Sequence, residues 1–169
     1  MPASATITVE NLPRTIGAIR RLDVEFAKEL NRDVAAIGRP VRDRARSFVP
    51  ASPPLSNWQT RRRGQADQPA YPWTKQARTG IVTGRSGKPG SIVVIKQKNA
   101  AGAVFDMAGK SGKSTRTPQG EAFNRNLRRR YGPASRSMWK AAQLERSRTE
   151  RAVGDVIAKA ERRLTGELA

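Results

Sequence analysis

The stretch Ser91–Gly109, with the sequence SIVVIKQKNAAGAVFDMAG, has the strongest β pattern in the chain. Its first half contains the β-branched run Ile92–Ile95, and its second half, Ala103–Met107, is apolar again. Asn99–Gly102 supply turn residues between the two runs, so the pattern predicts an antiparallel hairpin over about 91–107. An isolated hairpin is only marginally stable in water, and its apolar face therefore needs helices to cover it.

Helical patterns lie on both sides of this hairpin. Apolar residues recur at steps of three and four over Ile16–Phe48, which predicts a long amphipathic helix with a kink or break at Gly38–Pro40. A short helix is expected over Ala122–Tyr131. Ser135 is a good N-cap for a last helix, whose apolar stripe runs over Trp139–Leu164.

These elements predict an α+β fold in one domain over residues 1–169. A small antiparallel sheet, formed by the hairpin with short strands at Thr6–Glu10 and Arg78–Thr83, packs against the N-terminal and C-terminal helices. Three long basic loops, expected to be flexible or ordered by partners, cover about 51–76, 84–90 and 109–120.

The composition argues against an enzyme. The chain has no cysteine and no histidine, which excludes disulfides, zinc–thiolate sites and Ser-His-Asp triads. Gly109–Thr115, with the sequence GKSGKST, looks like a phosphate-binding loop, but Met107 stands where the Walker A pattern requires glycine. The acidic residues do not group as a two-metal site requires. We therefore expect no catalytic residue, no cofactor and no metal ion.

The basic charge is unevenly distributed. The net charge is +19, and residues 57–90 and 108–136 together supply 13 of these charges. Both segments are rich in Gly, Pro, Ser and Thr, so the charge is expected mainly in loops rather than along one helix face. Such loops contact phosphate groups or acidic protein surfaces. The opening MPASATITVE does not resemble a secretory signal, and no apolar run is long enough to span a bilayer.

Aromatic and basic residues in these loops are the candidates for contact with a partner protein or DNA. Trp58 and Trp73 flank Arg61–Arg63 and could stack on bases, or they could anchor the loop to its own domain. Arg128–Arg130 could contact phosphate or form a solvated helix end. The full set of candidates is Trp58, Arg61, Arg62, Arg63, Trp73, Lys88, Lys110, Lys113, Arg116, Arg128, Arg129 and Arg130.

Several short motifs follow one another in order: Val41-Arg42…Ala45-Arg46…Val49-Pro50, Ala77–Ile81, Ala103–Gly109, Phe123…Leu127 and Ser135-Arg136…Trp139. In this order they resemble the small neck or head–tail-joining proteins of long-tailed bacteriophages, which include many tail components. The segment AVFDMAG at Ala103–Gly109 is the most specific part of the likeness. The chain departs from the family pattern in its longer loop over 51–76 and in its higher positive charge.

The resemblance implies a structural virion protein, made in the bacterial host cytoplasm and located at the junction of neck and tail. It implies a homo-oligomeric ring around the DNA channel that joins a portal-side adaptor or stopper protein to a tail terminator or tail tube protein. Contact with genomic DNA in the channel is expected, and contact with a membrane is not. Two alternatives stay open: a tail terminator that caps the tail tube, and a non-specific nucleic-acid-binding accessory protein.

Overall fold

A computed structural model of the protein describes residues 4–8, 17, 20, 23–56, 58, 72–85, 91–110 and 117–167. Its strands and helices in chain order are β1 (Ser4–Thr8), α1 (Val24–Phe48), α2 (Gln76–Thr79), β2 (Ile81–Arg85), β3 (Ser91–Gln97), α3 (Ala100–Met107), α4 (Pro118–Tyr131), α5 (Met138–Leu144) and α6 (Arg146–Glu167). A small antiparallel sheet lies with a long N-terminal helix and a C-terminal helix, which confirms the expected α+β class.

The sheet has three antiparallel strands in the order β1-β3-β2. Its hairpin is formed by β2 and β3, with Ile81 opposite Gln97, and β1 pairs with the other edge of β3. The hairpin expected over 91–107 is therefore wrong in its second half, which forms α3 instead. The cause is Asn99, whose side chain accepts the N–H of Gly102 at 3.0 Å and caps a helix where a turn was expected.

Helix α1 runs unbroken from Val24 to Phe48, so the break expected at Gly38–Pro40 does not occur. Gly38 is buried because the sheet approaches the helix closely there. A Cβ at this position would lie 2.6 Å from Val93 Cγ1 and 3.1 Å from Thr83 Cγ2. The glycine thus provides space for the sheet and does not end the helix.

The core is divided into two clusters that share α1. The larger cluster surrounds Phe105, which is fully buried between the C-terminal half of α1, the sheet and helices α3 to α5. The smaller cluster joins the N-terminal half of α1 to α6 through apolar side chains, namely Phe26, Ala27, Leu30, Val34, Ile37, Val93, Val156 and Ala160. Helix α1 is therefore the element that connects α6 to the rest of the molecule.

Ion pairs line the contact between α1 and α6. Lys159 Nζ lies 2.7 Å from Glu29 Oε1 and 2.7 Å from Asp33 Oδ2, and these contacts raise the pKa of Lys159. Asp23 caps α1 by accepting the Phe26 N–H at 2.9 Å and lies 3.3 Å from Arg163 Nη2. The Phe26 hydrogen bond, assisted by Arg163, lowers the pKa of Asp23.

The last helix of the sequence interpretation is two helices, α5 and α6, separated at Glu145. Ser135 is not the N-cap: its φ is 69°, and α5 begins after Ser137. The side of α5 that faces the core carries Met138 and Ala141. Trp139, expected in the buried stripe, is consequently 56% exposed.

We predict that Gly38→Ala destabilises the protein, because the new methyl group collides with the sheet. The collision should outweigh the gain in helix propensity and lower the free energy of unfolding by about 1 to 2 kcal/mol. Gly154→Ala in α6 is the matched control, since nothing lies within 4 Å of its Cβ position, and it should stabilise by roughly 0.5 to 1 kcal/mol. Urea unfolding of both variants measures this; equal stabilisation by the two would contradict the packing argument.

The Asp23 cap should produce a pH dependence of stability. Since the pKa of Asp23 is lower in the folded chain, its stabilisation is present above the unfolded value of 3.8 and disappears as the pH falls through the folded value. Asn retains the cap without the charge, so wild type should be more stable than Asp23→Asn at neutral pH, and the two should converge in acid. Asp155→Asn, on the exposed side of α6, should show no such convergence.

Candidate functional site

The two tryptophans among the candidate contact residues lie in the core. Trp58 and Trp73 are both buried and meet edge to face, with ring centroids 5.0 Å apart. Trp73 also contacts Phe105 at 5.8 Å, and Trp58 contacts Phe123 at 5.2 Å. Among the described residues, the Trp73 indole N–H has no hydrogen-bond acceptor, so ring packing alone holds it. These side chains anchor their loop to its own domain and are not available to stack on bases.

The basic candidates divide into two groups. Six of them lie outside the described residues: Arg61, Arg62, Arg63, Lys88, Lys113 and Arg116. Lys110, Arg128, Arg129 and Arg130 are described, and all four are exposed. Arg130 is nevertheless engaged, because its Nη1 donates to the Pro54 carbonyl at 3.2 Å and its guanidinium lies 5.6 Å from the Tyr131 ring centroid.

Helix α4 carries a row of arginines, of which Arg128 and Arg129 were predicted as candidates and Arg125 was not. Thr117 caps this helix by accepting the Gly120 N–H at 3.2 Å, so the helix begins inside the loop expected over 109–120. Its inner side packs into the core through residues that include Phe123 and Leu127. Arg125, Arg128 and Arg129 lie on the opposite, exposed side. We call these three residues the α4 arginine row; they place basic charge on a helix face, whereas the basic charge was expected mainly in loops.

The AVFDMAG motif is bound to the motif that begins at Ser135. Asp106 is only 2% exposed, and its Oδ1 accepts the Ser137 hydroxyl at 2.6 Å, the Ser137 N–H and, at 3.3 Å, the Met138 N–H. These two N–H groups belong to the start of α5, where a carboxylate also interacts favourably with the helix dipole. Asp106 therefore caps a helix that follows about 30 residues later.

Arg136, which lies just before α5, forms hydrogen bonds with backbone carbonyls at the end of α3. Its Nη1 donates to the carbonyls of Phe105 at 2.8 Å and Ala108 at 3.1 Å, and its Nε donates to Gly132 at 3.1 Å. Burial lowers the pKa of the Arg136 guanidinium, and the nearby Asp106 carboxylate opposes that shift. An arginine keeps its proton at any physiological pH, so a buried charge satisfies the last carbonyls of α3.

Two other motifs of the resemblance are joined in the same way. Arg46, in the last turn of α1, donates from Nε to the Ile81 carbonyl and from Nη2 to the Thr79 carbonyl, both at 3.0 Å. Gln97, at the end of β3, donates to the Ala77 carbonyl at 2.8 Å and accepts the Asn99 N–H at 2.9 Å. These contacts hold α1, α2 and the sheet together at one corner of the core.

Helix α5 exposes large apolar side chains. Trp139 is 56% exposed and Leu144 is 61% exposed, on a helix whose opposite side contacts α1 and β1. Lys140 lies between them in sequence, with its Nζ 4.6 Å from the Phe48 ring centroid. A tryptophan held on the surface of a rigid helix is typical of protein interfaces, where tryptophan dominates binding energies.

Within the described part of the chain, no group of three or more acidic residues is placed to hold a metal ion. The same residues contain no helix that is long and apolar enough to cross a membrane. In comparisons with family models, curated proteins and solved structures, no match to this chain was found.

We predict that Asp106→Ala lowers the free energy of unfolding by roughly 2 to 4 kcal/mol, because it leaves the start of α5 and the buried Arg136 without their acceptor and counter-charge. Asp155→Ala, an exposed acid of α6, is the control and should change stability by less than about 0.5 kcal/mol. Chemical unfolding measures both values. Equal, small effects would show that the Asp106 hydrogen bonds add little to stability.

Proposed function

We propose that this chain is a structural subunit of the neck of a tailed bacteriophage, a head–tail connector protein that forms a ring below the portal. In this proposal its partners are copies of itself, a portal-side adaptor or stopper protein, and a tail terminator or tail tube protein. The proposal begins from the resemblance of five short motifs. In the structure, several of these motifs form hydrogen bonds with one another, which is a physical reason to treat them as one set.

The observation that carries the proposal is that the motifs bind one another. Asp106 in AVFDMAG bonds to Ser137, next to Arg136, and Arg136 bonds back to the Phe105 carbonyl. Arg46 bonds to the carbonyls of Thr79 and Ile81, which belong to another motif of the same set. Because the motifs share hydrogen bonds, they form one connected part of the fold. Their connection supports a common scaffold as the basis of the resemblance.

The surface of α5 supports a role in assembly. Asp106 and Arg136 hold the turn before α5, so the exposed Trp139 is presented from a rigid base. A preorganised aromatic side chain loses little entropy when it is buried at an interface. Trp139 and Leu144 are therefore the proposed centre of a contact with a neighbouring subunit or with the next protein of the neck.

The alternative of a tail terminator uses the same fold features and the same contacts, and it differs only in position along the virion. The alternative of a nucleic-acid-binding accessory protein is favoured by a specific observation, the α4 arginine row, whose members are exposed on one helix face. The tail terminator differs from the neck protein in its position in the virion. The accessory protein differs in that it binds nucleic acid.

Quantitative mass spectrometry of purified particles of the phage that encodes this chain tests the proposal. A neck ring should be present at a ratio of order one to the portal protein, since each particle would hold one ring of each protein. Presence in isolated tails that lack heads would favour the tail terminator. Absence from particles, with abundant expression in infected cells, would overturn the structural role and favour the nucleic-acid accessory.

We predict that Trp139→Ser combined with Leu144→Ser prevents incorporation into particles without changing the melting temperature by more than a few degrees, because both side chains are exposed. Val24→Ser is the control: Val24 is 53% exposed but lies at the start of α1. The variant chains are supplied in cells infected by phage that lack the gene, and particles are counted. Normal particle yield with the double variant would exclude α5 as the assembly contact.

A further inference from the structure

The three arginines of the α4 arginine row lie on one exposed face of the helix. Positions 125, 128 and 129 are separated by three and four residues, so they share one face of the helix and span about 6 Å along its axis. All three side chains are exposed. Among the described residues, none of them forms an ion pair with a carboxylate.

Several other surface arginines form ion pairs with carboxylates. Arg44 lies 3.0 Å from Glu145, Arg146 lies 2.7 Å from Glu150, and Arg163 lies 3.3 Å from Asp23. The helices α1 and α6 thus balance much of their own charge. The three residues of the α4 arginine row form no salt bridge with a described carboxylate, and the Glu121 carboxylate lies one helical turn before Arg125.

Helix stability does not explain the row. Like charges three or four residues apart destabilise a helix by about 0.2 to 0.5 kcal/mol per pair. The dipole at the C-terminal end of α4 favours cations by a similar amount, about 0.3 to 1 kcal/mol. Because the two effects are of the same size and opposite sign, the folded chain gains little from placing three arginines there.

The neighbouring residues indicate what the row can bind. The exposed residues beside the arginines on α4 include the polar Glu121 and Asn126, and the large exposed apolar residues of the described chain lie elsewhere, on α1 and α5. A protein interface needs an apolar core, and this face lacks one. Guanidinium groups form paired hydrogen bonds with phosphate oxygens, and arginine is the residue best suited to phosphate contacts.

We infer that the α4 arginine row binds the phosphate backbone of double-stranded nucleic acid without reading its sequence. Arg130 is not part of this surface, because it donates to the Pro54 carbonyl and stacks on Tyr131. The backbone at Gly109 lies close to α4, where a Cβ would be 3.7 Å from Asn124 Cγ, and the exposed Lys110 is the next residue in the chain. The inference depends on α4 alone and holds whether or not the chain is a neck protein.

The test is a salt titration of binding to a short DNA duplex, measured by fluorescence anisotropy with the full chain. The variant Arg125→Gln, Arg128→Gln, Arg129→Gln removes the row. Loss of three phosphate contacts should reduce the slope of log K against log salt by about 2.7 and weaken binding by about tenfold or more at low salt.

A matched control removes the same charge from other helices. Arg39, Arg151 and Arg162 are exposed on α1 and α6, so Gln at these three positions also lowers the net charge by three. The control should change the slope by less than about one. Circular dichroism melting of both variants verifies that each is folded before the titrations are compared.

Two results would overturn the inference. Equal weakening by the row variant and the control would show that the affinity follows net charge and not this surface. Unchanged DNA binding by the row variant, combined with loss of incorporation into particles, would show that the arginines contact an acidic protein. A parallel titration with an RNA duplex of the same length tests whether the contact is to the phosphate backbone. Similar slopes of log K against log salt for the DNA and RNA duplexes would support backbone contacts. If the row variant leaves the slope unchanged on both duplexes, backbone contacts by the α4 arginine row are contradicted.

Discussion

The buried charges of Asp106 and Arg136, each held by hydrogen bonds at the junction of α3 and α5, are the constraint on which the rest of the structure depends. The acid caps the start of α5, and the base satisfies the final carbonyls of α3, so each charge lies at the helix end whose dipole favours it. Burying two charges is unfavourable unless their hydrogen bonds are satisfied, and here the described donors and acceptors meet that condition. The turn between Gly132 and Ser137 has little freedom as a result, which accounts for the positive φ of Ser135.

Close backbone packing is the second constraint. Gly38 brings α1 against β3, and Gly102 brings α3 against Gln97, where a Cβ would lie 2.7 Å from the Ala77 carbonyl oxygen. Side chains at these two positions would push α1 or α3 away from the sheet and open the core around Phe105. The aromatic rings of Trp58, Trp73 and Phe105 fill the remaining space, which explains how a chain with few aromatic residues forms the larger core cluster.

The scaffold leaves two surfaces with different chemistry. Helix α5 exposes Trp139 and Leu144, as an interface between proteins requires, and α4 exposes arginines with no apolar side chain of comparable size among them. The proposed functions divide along the same line, with α5 assigned to protein assembly and α4 to phosphate. A subunit that surrounds a DNA channel would use both surfaces at once, whereas a free nucleic-acid-binding protein would need only the second.

Part of this picture could be predicted from the sequence, because periodicity is a local property. The α+β class, the long amphipathic α1, the strand over Ile92–Ile95 and the short helix before Tyr131 all follow from spacing within a few turns. The candidate site was only partly predicted. Arg128 and Arg129 were identified from their charge, whereas Arg125 was missed, although its spacing of three and four residues from them in the predicted short helix places it on the same face.

Tertiary structure decided what local patterns left ambiguous. Asn99–Gly102 is compatible with a hairpin turn or a helix cap, and the packing of α3 selects the helix cap. Gly38–Pro40 is compatible with a helix break or a close contact, and the packing of the sheet selects the close contact. The start of α5, and with it the exposure of Trp139, depends on Asp106, a residue about 30 positions away. Sequence determined which segments could become helix or strand, whereas contacts between distant residues determined where they begin and which side chains they expose.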